Sequence, residues 1–298
     1  METRRLGKTD MYVTALGFGG AEIGFQSVAQ TIVTELLNAA LDVGLNVIDT
    51  GECYGGSEEL IGNAVGYRRG DYFLFTKVGH ASGLDLPDWD PAMMELSIDR
   101  SLKRLKTDHL DLIQLHTCSE DKLRQGDVIE VVQKARDAGK ARYIGYSGDS
   151  KAAHYAVTCG AFDTLQTSIS IADQEGIELT LPEAAAKQVG VIAKRPIANA
   201  AWQYGDKPEN GYYVPYWERF QKLKYPFLEG EVADAAAIAL RFTLSMPAVA
   251  TAIVGTTNPK RWAQNADSAN RGALDEAAIA EIRAKWKTAA EAGWIGQA

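Results

Sequence analysis

Cysteine is scarce in this chain of 298 residues: Cys53, Cys118 and Cys159 are the full set, an odd number without C-x-x-C spacing. That excludes a disulfide scaffold and fits a reducing compartment. Long apolar runs are missing as well. None approaches the roughly 18 residues of a membrane span, and the opening METRRLGKTDM lacks the apolar stretch of a secretory signal. The expectation is a cytoplasmic protein with no membrane partner. Positive charge is not in excess: 31 Lys and Arg against 39 Asp and Glu leave a net charge of -8, with no basic run, which argues against nucleic acid as a partner. The histidines are only four, His80, His109, His116 and His154, and no two stand four apart, so no helical zinc pair is expected and no metal is assigned. What the chain does have is 46% hydrophobic and 23% charged residues, a balance that excludes disorder and supports a full core.

Short apolar runs alternate with longer amphipathic stretches. The strand candidates are Val13–Phe18, Asn46–Asp49, Tyr72–Lys77, Leu110–His116, Ala141–Ser147, Thr164–Ile169, Val191–Arg195 and Ala252–Gly255. Between them lie helical stretches at Thr31–Val43, Ser57–Val65, Pro91–Lys106, Asp127–Ala138, Ser150–Val157, Pro182–Gln188, Val232–Ser245 and Pro259–Asn270. This order predicts a parallel sheet, and about eight strands predict a closed (β/α)8 TIM barrel as one domain over residues 1–298. A final helix over Leu274–Ala289 falls outside the repeat. Thr3–Leu6 and Tyr12–Val13 predict an N-terminal hairpin that plugs the barrel bottom. The irregular, aromatic-rich segment Ala198 to Glu229 predicts a long functional loop at the C-terminal face, a lid over the site.

Several motifs fail on inspection. Gly7-Lys8-Thr9 is not a phosphate loop, because that motif needs Gly at position 2, which is Glu. Gly17, Gly19 and Gly20 resemble a dinucleotide fingerprint, but its third position falls on Glu22 and no helix is expected to start at once. Ser147 in Gly145-Tyr146-Ser147-Gly148-Asp149 is one residue off a nucleophile elbow.

Polar groups at predicted strand ends survive. The second barrel strand runs into Asp49-Thr50-Gly51-Glu52-Cys53-Tyr54, the third ends at Lys77 and the fourth at His116. In a (β/α)8 barrel these ends share one mouth, so Asp49, Tyr54, Lys77 and His116 are expected to converge.

The stretch Leu45 to Glu58 resembles the strand-two signature of the aldo-keto reductase family, in which Asp-Thr precedes Tyr-Gly and then Ser-Glu. The resemblance continues through Thr76-Lys77, Leu110 to His116, Ile144 to Ser147, Gln166 and Gly255-Thr256-Thr257-Asn258-Pro259. It implies the barrel, a nicotinamide cofactor held without a Rossmann domain, and a catalytic tetrad of Asp49, Tyr54, Lys77 and His116, with Tyr54 the proton donor. The chemistry agrees: a carbonyl reduced by hydride builds negative charge on its oxygen, and a tyrosine beside an ammonium that a carboxylate keeps charged suits the donor role. It also implies that Ser147 and Gln166 bond the carboxamide, with Lys194, Arg195, Gly255 and Thr256 along the cofactor and Asn265 near the adenine. Gly148 departs from the family's usual Asn, with Asp149 a candidate substitute. Lys194 stands where other branches place a stacking aromatic, and Gly255 where some carry Lys.

Arg261, with Lys260, lies in the first turn of a helix at the family's 2'-phosphate region. A positive helix end with free N–H groups favours a phosphate there. NADPH is therefore favoured as the NADP-type cofactor, with NADH open. The reading is an NADPH-dependent reductase of a small aldehyde or ketone. Alternatives are an NAD(P)-dependent sugar or alcohol dehydrogenase and a cofactor-binding redox-sensing regulatory subunit; the oligomeric state is left open.

Overall fold

The computed structural model describes residues 1–297. Its first two strands, β1 (Thr3–Arg5) and β2 (Tyr12–Thr14), pair antiparallel as the expected hairpin. Eight further strands follow: β3 (Leu16–Gly19), β4 (Val47–Asp49), β5 (Phe73–Val78), β6 (Leu110–His116), β7 (Ala141–Ser147), β8 (Thr164–Ser168), β9 (Gly190–Lys194) and β10 (Val249–Val254). They are all parallel and close into a barrel in sequence order, with β10 returning to β3. The predicted (β/α)8 architecture is thus the observed one.

The helices follow from apolar faces and caps. In Pro91–Leu105, Met93, Met94, Ile98 and Leu105 are buried, Asp90 caps the first N–H groups of Ala92 and Met93, and Pro91 sits where no N–H is needed. Most of the core lies between such faces and the outside of the barrel. A second cluster lies inside the barrel, where Leu6, Met11 and Val13 of the hairpin region meet Val47, Phe75, Leu112, Ile192 and Ala250. The hairpin is the plug.

Four expectations need correction. The stretch Val13–Phe18 is broken at Ala15, because the chain turns there from hairpin into barrel. A helix does begin directly after Gly20, at Ala21–Phe25; five residues are too few to show a period. The stretch Pro182–Gln188 is resolved into Leu181–Ala186, preceded by a separate helix Glu175–Leu179. The segment Ala198 to Glu229 is not one irregular loop: it holds the helix Val214–Leu223, which buries Tyr216, Phe220 and Leu223. Among the described residues no helix is long and apolar enough to cross a membrane.

Gly7 seats the plug. Its φ of +57° lies in the left-handed region, and a Cβ there would fall 2.3 Å from the backbone nitrogen of Gly190 on β9. Gly7→Ala is therefore expected to destabilise by about 1–3 kcal/mol, read as a lower urea midpoint. An unchanged midpoint would mean that the hairpin does not seal the barrel.

Candidate active site

Strands β4, β5 and β6 are neighbours, so their C-terminal ends open side by side at the mouth. Asp49 ends β4, Lys77 is the penultimate residue of β5 and His116 ends β6, while Tyr54 follows β4 on a short turn closed by its N–H to the Gly51 carbonyl. The register continues this level around the wall: His116 faces Ser147 on β7, and Ser147 faces Gln166 on β8. The four residues expected to converge do so.

At the bottom of the mouth Lys77 Nζ lies 2.5 Å from Asp49 Oδ2, both residues 1% exposed, and donates a second bond to the Thr50 carbonyl at 2.8 Å. The other Asp49 oxygen accepts from Gln166 Nε2 at 2.8 Å and Gln114 Nε2 at 3.1 Å. Burial alone would strip the proton from Lys77; the Asp49 charge reverses this and holds the ammonium above its ordinary range. That ammonium sits 4.8 Å from the centre of the Tyr54 ring.

The Tyr54 hydroxyl is 3.5 Å from His116 Nε2, with the two rings edge to face. Burial raises the Tyr54 hydroxyl above its ordinary value against the opposing pull of Lys77, so the group stands protonated at neutral pH. His116 moves the other way. Burial and then the positive charge of Lys77 push it well below the ordinary histidine range, and the ring is neutral. The arrangement holds a neutral phenol, a neutral imidazole and a fixed cation at one end of a cavity.

The signature also contains residues whose work is to hold this frame. Ser57 Oγ donates to the Gly20 carbonyl and lies 2.8 Å from Thr50 Oγ1, tying the loop after β4 to that after β3. Glu58, buried, accepts from Thr76 beside Lys77. Glu52 and Cys53 escaped the sequence reading. Glu52 is 1% exposed, accepts from the His80 N–H at 2.9 Å, and is pushed up to about 8 by burial. Cys53 Sγ lies 3.4 Å from His116 Nδ1, and burial pushes its thiol up to about 12. Their convergence follows only from the adjacency of β4 and β6 around β5.

The cavity has a volume of about 710 Å3. It runs from Asp49, Tyr54 and His116 past Ser147, Gln166, Lys194 and Arg195 to Gly255, Thr256, Arg261 and Asn265. Tyr212 and Tyr213 of the aromatic segment line it, but Trp202 and Trp217 do not: Trp202 packs on Phe220, and Trp217 donates to the Tyr204 carbonyl. From that segment Asn199, Ala200 and Gln203 also line the cavity, while Tyr216, Phe220 and Tyr225 are buried in the core.

Residues 15–287 match the aldo/keto reductase family. The chain belongs to that family. It is an oxidoreductase: it is 29% identical to the uncharacterized oxidoreductase YqkF of Bacillus subtilis over 96% of this chain and 97% of that one. It is 27% identical to the L-galactose dehydrogenase of Arabidopsis thaliana over 95% and 94%. The holo form of the aldo-keto reductase AKR11C1 from Bacillus halodurans superposes with a TM-score of 0.83 at 27% identity, over 99% of both chains.

Aldo/keto reductases use nicotinamide nucleotides, and the residues here fit one. The cavity is long, its walls carry amide, hydroxyl and guanidinium groups, and it ends at the start of the helix Pro259–Asn270. Lys194 lines the cavity while it pairs with Asp149 at 2.8 Å and donates to the Gln297 carbonyl at 3.1 Å. Two of the expected features take another form. Asp149 cannot substitute for the missing Asn. It lies outside the cavity lining, and its oxygens accept from Thr167 Oγ1 and Ser168 N besides Lys194. The helix start offers fewer free N–H groups than expected, because Asn258 Oδ1 caps the Lys260 N–H at 2.9 Å and Pro259 has none. Lys260 is outside the lining; Arg261 is in it.

Gly148 is explained by its neighbour. The Tyr146 hydroxyl, which donates to the Cys118 carbonyl at 2.7 Å, occupies the place of a side chain: a Cβ at 148 would fall 2.3 Å from it. Restoring the family's asparagine through Gly148→Asn should therefore cost about 1–3 kcal/mol of stability without tightening cofactor binding. Urea unfolding together with cofactor titration checks this; a stable variant with tighter binding would contradict it.

Proposed function

We propose that this protein is an NADPH-dependent carbonyl reductase in which Tyr54 protonates the carbonyl oxygen of a small aldehyde or ketone. The observation that carries this reading is the placement of a protonated Tyr54 hydroxyl between neutral His116 and the Lys77–Asp49 pair, at one end of a cavity whose other end carries Arg261. Bound in that cavity, a nicotinamide dinucleotide supplies the hydride. Tyr54 donates its proton to the oxygen on which charge develops. Lys77, kept cationic by Asp49, stabilises the tyrosinate left behind, so the proton departs against a smaller barrier. His116, a neutral ring, donates a hydrogen bond that orients the carbonyl in the productive pose. Ser147 and Gln166 hold the nicotinamide carboxamide, and the link from Gln166 to Asp49 ties that contact to the ion pair.

The same groups run the reverse reaction, with Tyr54 as base. Similarity to L-galactose dehydrogenase favours sugar or alcohol oxidation as the second reading. A panel of aldehydes, ketones and sugars assayed with NADPH and NADP in parallel with NADH and NAD decides between the two.

Tyr54→Phe should lower carbonyl reduction about 10²- to 10⁴-fold while the cofactor dissociation constant stays near that of the parent. Turnover near the parent rate would remove Tyr54 from the role. Arg261 carries the cofactor preference: a guanidinium meets the 2'-phosphate with paired charge-assisted bonds that NADH cannot make. Arg261→Ala is expected to weaken NADPH about ten- to a hundredfold and leave NADH nearly unchanged, in titrations followed by quenching of protein fluorescence. Equal loss for both would make Arg261 structural, and a parent protein preferring NADH would overturn the preference itself.

A further inference from the structure

Three side chains at the catalytic end are not explained by carbonyl chemistry as a group. Glu52, Cys53 and His116 each bring one donor atom to within 4.8 Å of the other two. Cys53 Sγ and His116 Nδ1 are 3.4 Å apart. A tetrahedral zinc ion, with bonds of about 2.3 Å to sulfur and 2.0–2.1 Å to nitrogen, holds its sulfur and nitrogen ligands roughly 3.5 Å apart. The pair is already at chelating distance.

Glu52 supplies the independent observation. It is 1% exposed, one oxygen accepts from the His80 N–H, and the other, Oε2, is buried without any hydrogen-bond partner. A buried carboxylate oxygen left unpaired is costly, and such a group calls for a specific cause. A cation bridging it to Cys53 and His116 provides one.

We propose that Glu52, Cys53 and His116 form a zinc-class divalent-cation site at the catalytic end of the cavity. The donor set selects the metal class: one thiolate, one imidazole and one carboxylate suit zinc, and not the oxygen-seeking magnesium or calcium. Cys53 and His116 line the cavity, so the ion enters from there and keeps a fourth position open toward it. Binding sends the thiol and carboxyl protons to the buffer, and the two resulting negative charges neutralise the ion beside the Lys77 ammonium. The lone pair of Nδ1 goes to the metal, so the ring proton resides on Nε2, facing Tyr54.

The test uses the full chain, stripped with a chelator and titrated with cobalt(II), then with zinc. The expected result is a thiolate-to-cobalt charge-transfer band that saturates at one ion per chain, is displaced by zinc and is absent in Cys53→Ser. Glu52→Gln should weaken zinc by more than about tenfold in competition with a chromophoric chelator. No charge-transfer band in the parent protein overturns the site, as does zinc binding indifferent to replacement of Cys53. The cobalt spectra do not depend on turnover, so failure of reduction in every assay would count against the reductase reading alone.

Discussion

The buried contact between Lys77 and Asp49 is the interaction on which the site depends. Two charges removed from water cost several kcal/mol each, and their attraction offsets this only when every remaining donor and acceptor is engaged. Here they are. Asp49 is bonded by Lys77, Gln114 and Gln166, and Lys77 also reaches the Thr50 carbonyl. Loss of either partner leaves a buried charge uncompensated, a penalty of about 3–5 kcal/mol. The geometry therefore ties four strands, β4, β5, β6 and β8, together, and Tyr54 lies over the result.

The barrel was legible because its information is periodic. Eight apolar runs separated by amphipathic helices have few other ways to pack, and the plug was readable from two short pieces around Gly7. The convergence of Asp49, Tyr54, Lys77 and His116 was legible from their places at strand ends, and the roles proposed for them only from the family resemblance. What stayed hidden has no period and no motif. The helix Ala21–Phe25 is too short to show one. The cap from Asn258 to Lys260, the pairing of Lys194 with Asp149, and the Tyr146 hydroxyl filling the space beside Gly148 all depend on side-chain directions that only packing decides. Glu52 and Cys53 meet His116 across 63 residues of chain between Cys53 and the ring.

The far side of the mouth is closed by the same economy of charge. Lys194 at the end of β9 is shared between Asp149 and the Gln297 carbonyl, and Arg219, buried beside Asp173, donates to the Ile295 carbonyl. Both cations are thereby tied to the chain after the last helix, with Trp294 packed on Trp286. Lys194 is thus held by two protein partners within the cavity wall, whose far end carries Thr256, Arg261 and Asn265.

The central claim is that Asp49 acts on Tyr54 chiefly through the charge of Lys77. A double-mutant cycle on the single-turnover rate of carbonyl reduction at saturating NADPH tests it directly, with Asp49→Asn, Lys77→Met and the double variant. If the claim holds, each single change slows the step and the double variant is no slower than Lys77→Met alone. Losses that multiply would show that Asp49 and Lys77 act independently, and would contradict the account.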